Sequence, residues 1–340
     1  MRATLQSLQN HLKNSLYQPV NRQRRFILLA GTAALFTACG RNNQSQKTST
    51  ASTAQKGTSP KGKTIQHALG ETVVAPNPSR VVALGYAMVE PVVALGIQPV
   101  GAPGIIAEEM TYLELDTATI ADIGNEGQPN IEKIAALKPD LILTTERSVR
   151  DNYPLLSQIA PTVAFEASDE TQWQALAESC AEVLGKQAEV EKLATEYDAK
   201  LAQLKAQVPQ TLKDIEASIV FLLPGDIRVL GKESFSGNIL EDAGLSRPPS
   251  QAQGRGINNI SLEALDKIDG DVMFILTPQS NTELADDVRT EIKRTQASPL
   301  WSQLKAVKND QVHEVPPYWI LGNYLAANLI LDDLLAYFVA

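Results

Sequence analysis

The chain has 340 residues, with 30 lysine and arginine residues against 39 aspartate and glutamate residues, giving a formal net charge of −9. Residues 1–38 contain five basic residues and no acidic one, so the rest of the chain carries 25 basic against 39 acidic residues. This acidity disfavours nucleic acid as a partner, and two cysteines are too few for a disulfide framework.

The N-terminal segment 1–38 has the pattern of an export signal. Three arginines precede the apolar run Phe26–Phe36, which is too short to span a bilayer comfortably. Residues 37–40 read Thr-Ala-Cys-Gly. Small residues before a cysteine resemble the lipobox of bacterial lipoproteins, although Leu35 lies one position farther from Cys39 than the usual leucine. We therefore predict a lipid anchor at Cys39, with plain secretion as the alternative.

The residues around the signal bear on export and tethering. Gln23–Leu28 also fits a relaxed twin-arginine pattern, so the sequence leaves the general secretory and twin-arginine routes open. Residues 39–63 are rich in small polar residues and nearly free of large apolar ones, so they cannot bury enough surface to offset chain entropy. We predict a flexible tether that holds the protein in the periplasm or cell envelope through an acylated Cys39.

A helix-and-strand pattern occurs twice, at 130–143 and again at 261–274. Each copy reads as a helix N-cap, a short amphipathic helix, a tight turn and an apolar strand of the kind found in parallel sheets. The predicted caps are Asn130 and Ser261, and each is followed two places on by a glutamate that suits the positive end of a helix dipole. Such units are common in α/β proteins, but their wide separation favours two similar lobes.

The middle of the chain predicts long helices. Residues 162–208 contain no proline and a single glycine, Gly185, and apolar residues recur at the helical period on both sides of it. We therefore expect an N-terminal lobe at 64–168, a linking helix at 169–187 and a C-terminal lobe at 188–340. The alternative is that these helices simply pack on one sheet.

A set of short segments resembles one family of transport proteins. The segments are Gly70–Val74, Asn77–Leu84, Ala94–Ile97, Pro99–Gly101, Ile123–Gly124, Pro129–Asn130 and Leu137–Ile142. Together they resemble the helix-linked (class III) substrate-binding proteins of ABC transporters, which import ferric siderophores, vitamin B12 and haem. Tyr318–Ile320 and Ala327–Leu334 are most similar to the iron-siderophore branch.

This resemblance, over roughly residues 64–338, implies a fold and a docking mode. The implied fold is α/β, with two Rossmann-like lobes, each with a central sheet, joined by a long spanning helix, and a ligand cleft between them. The resemblance also implies that Glu132 and Glu263, one at the tip of each lobe, pair with arginines of the membrane permease. Compensation of the helix dipole is the alternative role of these two residues.

The histidine content argues against a bare metal ion as the ligand. Beyond the signal the sequence has only His67 and His313, whereas zinc or manganese capture draws on several imidazoles and carboxylates. A ferric chelate brings its iron already coordinated, so the protein needs only shape, aromatic walls and complementary charge. Arginine suits chelates that carry carboxylates. We expect a ferric siderophore as the transported ligand, with no cofactor and no direct metal contact.

Candidate ligand residues are those that follow predicted strands, since ligands of doubly wound sheets lie beyond the carboxyl ends of the strands. Each arginine has the alternative of a solvated surface charge or a partner for a nearby acid, and the tryptophan that of a core residue. The candidates after strands are Tyr86, Arg147, Arg150, Arg228, Tyr318 and Trp319. Arg255, in the Gly254–Gly256 loop, is a further and weaker candidate.

No enzyme motif accompanies these features, since the sequence has no Gly-x-Ser-x-Gly elbow, P-loop, His-Glu-x-x-His or dinucleotide fingerprint. We expect a monomeric binding protein that delivers a ferric siderophore to an ABC importer, not an enzyme. Within the same transporter type, a haem- or cobalamin-binding protein is the alternative, with Tyr86 or Tyr318 as a haem ligand. An enzyme would show turnover, and a scaffold lipoprotein would show neither turnover nor saturable binding.

The predicted lipid anchor at Cys39 can be tested by substitution. Cys39→Ser removes the thiol that would be acylated, so the protein should move from the membrane fraction to the soluble fraction after cell breakage. A Cys180→Ala variant keeps Cys39 and should partition like the wild type. A wild-type protein that is fully soluble and cleaved at another site would contradict the lipoprotein assignment.

Overall fold

A computed structural model describes residues 62–104, 110–166, 172–208, 212–278, 283–320 and 322–339. The predicted export signal, Cys39 and all but the last two residues of the predicted tether lie outside the described residues. None of the helices within the described ranges combines the length and apolarity needed to cross a bilayer.

The strands of the first lobe are β1 (Lys63–His67), β2 (Gly70–Val74), β3 (Val81–Leu84), β4 (Gly101–Ala102), β5 (Ala121–Asp122), β6 (Gly124–Asn125), β7 (Gln128–Pro129), β8 (Leu141–Thr145) and β9 (Thr162–Phe165). Five of them form a sheet in the order β5-β4-β3-β8-β9 with every neighbouring pair parallel. The central strand β3 is apolar and wholly buried, as expected where helices cover both faces of a parallel sheet. The pairs β1–β2 and β6–β7 are antiparallel hairpins.

The second lobe has a similar sheet, with one difference in strand direction. Its strands are β10 (Ala217–Leu223), β11 (Asp226–Leu230), β12 (Gly256–Ile260), β13 (Val272–Leu276) and β14 (Val312–Val315), in the order β12-β11-β10-β13-β14. Strands β10, β13 and β14 are parallel, whereas β11 folds back on β10 as a hairpin and pairs antiparallel with β12. The two sheets confirm the predicted α/β fold.

Helices connect the strands and pack against both sheets. The α-helices are α1 (Tyr86–Ala94), α2 (Ile131–Ala136), α3 (Glu146–Val149), α4 (Tyr153–Ile159), α5 (Trp173–Leu184), α6 (Gln187–Gln207), α7 (Phe235–Ala243), α8 (Glu283–Gln296), α9 (Lys305–Lys308) and α10 (Tyr324–Val339). Short 3₁₀ helices span Thr111–Leu113, Thr117–Thr119, Leu212–Asp214, Leu262–Ile268, Trp301–Gln303 and Pro317–Trp319.

The two copies of the sequence pattern occupy matching places in the two sheets, because each contains an aspartate that holds the neighbouring strand. Asp140 accepts hydrogen bonds from the backbone N–H groups of Ser79 and Arg80, each at 2.9 Å, just before β3 begins. Asp271 accepts one from the backbone N–H of Glu216 at 2.8 Å, just before β10 begins. Each carboxylate therefore fixes the register of the central pair of parallel strands, β3–β8 or β10–β13.

The helix caps of the two copies differ. Asn130 accepts the backbone N–H of Lys133 at 2.9 Å, so the predicted cap of α2 is confirmed. The predicted side-chain cap at Ser261 is wrong, because its hydroxyl makes no such bond and instead hydrogen-bonds Glu263. The segment that follows is a 3₁₀ helix with a kink at Ala264 rather than a regular α-helix.

Helices α5 and α6 stand in sequence between the last strand of the first sheet and the first strand of the second. Helix α6 packs along α10, and α5 packs on both α1 and α6. The predicted linking segment 169–187 includes α5, and the lobe boundaries stay a prediction. Cys180 is buried in α5, as its place on the apolar face predicts, and burial raises the pKa of its thiol.

An aromatic cluster fixes these helices to one another. Trp173, at the start of α5, makes edge contacts with Tyr197 on α6, Phe235 on α7 and Tyr324 on α10, with ring centroids 5.3, 5.7 and 5.0 Å apart. Edge-to-face pairs at these distances add to the energy of area burial. The first turns of α5, α7 and α10 are thus brought together at one point.

Candidate functional site

Tyr86 follows β3 directly and opens α1, at the carboxyl end of the first sheet. The turn between them needs glycine, because Gly85 has a φ of 125° and a Cβ there would lie 2.5 Å from the carboxylate of Glu126. Tyr86 is half-buried. Tyr86 and Glu90 lie one helical turn apart and therefore share a face of α1.

Arg147 and Arg150 follow β8 at the same edge of the first sheet. Both lie on or beside the short helix α3 and are exposed. Arg150 forms an ion pair with Glu146 of the same helix, so part of its charge is already compensated. The exposed Arg147 is the more suitable of the two for meeting an incoming anion.

Arg228 is the middle residue of β11, pairs with Phe221 near the carboxyl end of β10, and is only 4% exposed. Asp226 holds its guanidinium through Nε at 2.6 Å and Nη2 at 2.5 Å. The other oxygen of Asp226 accepts the backbone N–H of Asn259 at 2.7 Å, which fixes the carboxylate in turn. Among the described residues Nη1 of Arg228 has no hydrogen-bond partner. A fixed, buried donor without an acceptor favours a ligand oxygen nearby.

Arg255 lies away from this edge. Its backbone carbonyl accepts the N–H of Gly231 at 2.8 Å, and the residue after it, Gly256, pairs with Leu230. Leu230 is the last residue of β11, four residues from Asp226, or about 13 Å along an extended strand. The structure therefore places Arg228 close to the β10–β11 turn, whereas the backbone of Arg255 lies beside the opposite end of β11.

The two aromatic candidates after β14 differ in burial. Trp319 is fully buried, with its indole N–H donating to Oδ2 of Asp333 at 2.8 Å and its ring 4.6 Å from that of Phe274. These contacts place Trp319 in the core of the second lobe and not on an open wall. Tyr318 is half-buried, and its hydroxyl donates to the same oxygen at 2.8 Å. Burial raises the pKa of Asp333, which accepts both bonds.

Two residues that the sequence analysis missed join the lobes beside Tyr318. The ring of Tyr112, in the 3₁₀ turn after β4, meets the ring of Tyr318 edge-on with centroids 5.6 Å apart. The hydroxyl of Tyr112 donates to Oε2 of Glu90 at 2.6 Å, and Glu90 is only 1% exposed. Burial raises the pKa of both side chains. Tyrosines from both lobes thus meet, one in the segment that follows β4 and the other just after β14.

A sequence signal for Glu90 existed, whereas Tyr112 gave none. Glu90 is the single charged residue in α1, and a lone carboxylate in an apolar helix indicates a buried, hydrogen-bonded role. Tyr112 follows β4, a strand of only two residues that leaves no periodic pattern.

The two histidines outside the signal contact residues other than Tyr112 and Tyr318. His67 contacts Thr72 at 3.0 Å and Tyr153 at 3.3 Å in the β1–β2 region, and His313 stacks on Tyr337. Burial lowers the pKa of both imidazoles. In the described part of the chain, no three His, Cys, Asp or Glu side chains gather as metal ligands would.

A shallow depression of about 500 Å³ lies elsewhere on the first lobe, between β2 and α4. The described residues that line it include no basic side chain, and Glu71 is its one charged residue. Two of its lining residues, Pro161 and Thr162, are at the amino end of β9, opposite to the edge where ligands of such sheets bind. The depression is therefore a poor candidate for an anionic chelate.

Glu132 and Glu263 are exposed in the first turns of the two repeated helical segments. The hydroxyl of Ser261 lowers the pKa of Glu263 by hydrogen bonding to its carboxylate. Both side chains are open to solvent, one on each lobe.

The chain is similar to known binding proteins over most of its length. A family model for periplasmic binding protein matches residues 81–318. The probable siderophore-binding lipoprotein YfiY of Bacillus subtilis is 32% identical over 327 residues, which are 92% of this chain and 97% of the relative. The Fe(3+)-citrate-binding protein YfmC of Bacillus subtilis is 30% identical over 250 residues, 72% of this chain and 75% of the relative.

Among solved structures, Staphylococcus aureus SirA complexed with staphyloferrin B is similar with a TM-score of 0.69 and 29% identity, covering 81% of this chain and 98% of SirA. Bacillus subtilis FeuA complexed with ferri-bacillibactin shares the fold, with a TM-score of 0.68 and 23% identity over 81% of this chain and 98% of FeuA. The predicted family resemblance is confirmed: the chain belongs to the periplasmic binding protein family.

Proposed function

We propose that this protein is an extracytoplasmic substrate-binding lipoprotein that captures a ferric siderophore and delivers it to an ABC importer. The observation that carries the proposal is the two-lobe fold, in which a tyrosine after β4 and a tyrosine after β14 meet. Similarity over nearly the whole chain to a probable siderophore-binding lipoprotein supports the same function. Relatives named as lipoproteins or periplasmic proteins support a location outside the cytoplasm.

The side chains at this edge suit a chelate better than a bare metal ion. Tyrosine rings offer flat apolar surface with a polar tip, and arginines offer donors for carboxylate oxygens. Within the described residues no ligand cluster is available to strip iron from a chelate. The iron would therefore be bound and delivered as the intact ferric chelate. Binding a transported ligand requires no catalytic step.

An anionic chelate fits the charges better than a neutral one. The guanidinium of Arg228 is oriented by Asp226 and keeps one donor without an acceptor among the described residues. The exposed Arg147 follows β8 at the same edge of the first sheet. Relatives named for Fe(3+)-citrate and Fe(3+) dicitrate support a carboxylate-bearing ligand.

The haem or cobalamin alternative has weaker support. The phenol of Tyr318 donates to Asp333, and burial and that carboxylate raise the pKa of the phenol, which opposes the phenolate form that binds haem iron. The relatives and structural neighbours described above are named for siderophores or ferric citrate.

A ligand panel tests the function. Quenching of tryptophan fluorescence would be titrated with ferric citrate, a ferric carboxylate siderophore, ferric hydroxamates, ferric catecholates, haem and cobalamin. We expect saturable binding of the iron chelates without turnover, with carboxylate-bearing chelates tighter than neutral hydroxamates. Tighter binding of haem or cobalamin than of every iron chelate would contradict the siderophore assignment.

The arginines can be tested one at a time. Arg147→Ala and Arg228→Ala each remove a charge-assisted contact worth roughly 1.5–3 kcal/mol, so affinity for an anionic ferric chelate should fall about ten- to a hundredfold. The loss at Arg147 should shrink as salt rises, because this side chain is exposed.

Two further variants control this experiment. Arg228→Lys keeps a cation beside Asp226 but lacks the planar fork, so it should retain the fold and still lose affinity. Arg294→Ala removes an exposed arginine on α8 that pairs with Glu291, and it should bind normally. Unchanged affinity for anionic chelates in both Arg147→Ala and Arg228→Ala would contradict the role of these arginines.

We further propose that Glu132 and Glu263 dock the protein on the permease. Both are exposed at the starts of matching segments, one on each lobe. This placement suits a partner that contacts both lobes at the same time. Arginines of a permease would meet these carboxylates as charge-assisted pairs. We expect one monomer of this protein to engage one permease pair.

The double variant Glu132→Ala, Glu263→Ala should abolish uptake of the radiolabelled ferric chelate by cells while leaving chelate affinity within a factor of a few. Glu191→Ala with Glu196→Ala, two exposed glutamates of α6, is the matched control and should transport normally. If the Glu132/Glu263 variant transports like the wild type, these glutamates serve only their helix starts.

A further inference from the structure

Glu90 joins the first lobe to the last helix of the chain. Its Oε1 accepts the backbone N–H groups of Asn323 at 2.7 Å and Ala326 at 3.0 Å, in the first turn of α10. These donors lie 233 and 236 positions away in sequence. A helix start is usually capped by a side chain of its own segment, whereas Glu90 comes from α1 of the other lobe. The carboxylate also lies at the positive end of the α10 dipole.

The local backbone is built to admit this carboxylate. A Cβ at Gly322 would lie 2.7 Å from Oε2 of Glu90 and 2.3 Å from the Cβ of Ala326. Asn323 ties the same turn to α5, since its side-chain amide donates to the backbone oxygen of Trp173 at 2.8 Å. Glu90 is thus surrounded by backbone donors and by residues that hold them in place.

The same carboxylate reaches the aromatic contact between the lobes. The second oxygen of Glu90 accepts the phenol of Tyr112, whose ring meets that of Tyr318, and Tyr318 in turn donates to Asp333 on α10. We call Glu90, Tyr112, Tyr318 and Asp333 the interlobe cluster. Both ends of the cluster are tied to α10, because Glu90 accepts backbone N–H groups at its start and Asp333 lies on it. The two tyrosines therefore cannot move apart without breaking their ring contact or a hydrogen bond to one of these carboxylates.

In the described part of the chain no lysine or arginine forms an ion pair with Glu90. The hydrogen-bond donors of α10 and Tyr112 therefore supply the compensation that a buried carboxylate needs. Because these donors come from both lobes, the carboxylate is satisfied only in one relative placement of the lobes.

We propose that Glu90 is a positioning residue for ligand capture, which holds the two lobes at a fixed separation and holds Tyr112 against Tyr318 in the ligand cleft. The proposal rests on the function proposed above. The alternative is that Glu90 only caps and stabilises α10 and does not affect ligand binding in the cleft. The two differ in what a mild variant changes: a cap alters stability only, whereas a positioning residue also alters lobe separation and ligand affinity.

The test uses two mild variants and a matched control. Glu90→Gln keeps an acceptor for the backbone N–H groups but loses the charge, and Tyr112→Phe removes only the hydroxyl that reaches Glu90. Tyr197→Phe is the control, because Tyr197 also donates to a carboxylate, Asp242 at 2.8 Å, within the helical core. Urea unfolding would be measured for all three variants, so that lost stability is separated from lost binding.

Affinity for ferric citrate should fall about tenfold in Glu90→Gln and Tyr112→Phe, the change expected for one charge-assisted hydrogen bond. Tyr197→Phe should bind like the wild type even though its urea midpoint falls. Normal affinity in both cluster variants, with only the urea midpoint lowered, would reduce Glu90 to a helix cap and overturn the proposal.

A second readout does not depend on the ligand. Spin labels at Ala135→Cys and Asp266→Cys, exposed positions five residues after the matching positions Asn130 and Ser261, report the distance between lobes by pulsed electron resonance. The ligand-free distance distribution should broaden or shift in Glu90→Gln and stay unchanged in Tyr197→Phe. An unchanged distribution in Glu90→Gln would overturn the proposal. If no iron chelate binds the wild type, the proposed function fails and this distance alone decides the role of Glu90.

Discussion

A buried carboxylate without a basic partner constrains the relative placement of the lobes. Removing a charge from water is costly, and for Glu90 the compensation comes from backbone N–H groups of α10 and the phenol of Tyr112. These donors belong to segments on either side of the interlobe boundary. The arrangement therefore ties the orientation of α1 to that of α10, and through Asn323 to the start of α5. The aromatic cluster around Trp173 packs beside the same turns and adds apolar burial to the polar contacts.

Within each lobe a different carboxylate sets the register of the sheet. Asp140 and Asp271 bind the backbone just before β3 and β10, and these strands end at the edge where the candidate ligand residues lie. The lobes then diverge at the next strand. In the first lobe β4 is parallel and short, whereas in the second β11 turns back on β10. That hairpin puts Arg228 near the carboxyl end of β10, whereas the corresponding neighbour of β3 in the first lobe is the parallel strand β4.

The sequence predicted the fold where the signal was local. Continuous apolar runs marked the parallel strands, and Asn130 marked a helix start, because period and capping chemistry depend on a few neighbouring residues. Ser261 failed as a side-chain cap because its hydroxyl bonds Glu263, a local alternative that the spacing did not reveal. Trp319 could not be assigned to wall or core from its place after a strand, since its burial depends on Phe274 and Asp333, which are distant in sequence. Tyr112 and the donors of Glu90 depend on contacts between lobes, which no single segment encodes.

The site proposed for an anionic chelate belongs to an acidic protein. The net charge opposes an anion at long range, so attraction must come from a few arginines whose charge is not already compensated. Arg150 pairs with Glu146. Arg228 pairs with Asp226 through Nε and Nη2 and keeps Nη1 without an acceptor among the described residues. A partly satisfied guanidinium is held rigidly and keeps a donor for the ligand, so little side-chain entropy remains to be lost on binding. Tyr112 and Tyr318 are likewise held by Glu90 and Asp333, so their rings are ordered before a ligand binds and lose little side-chain entropy on binding.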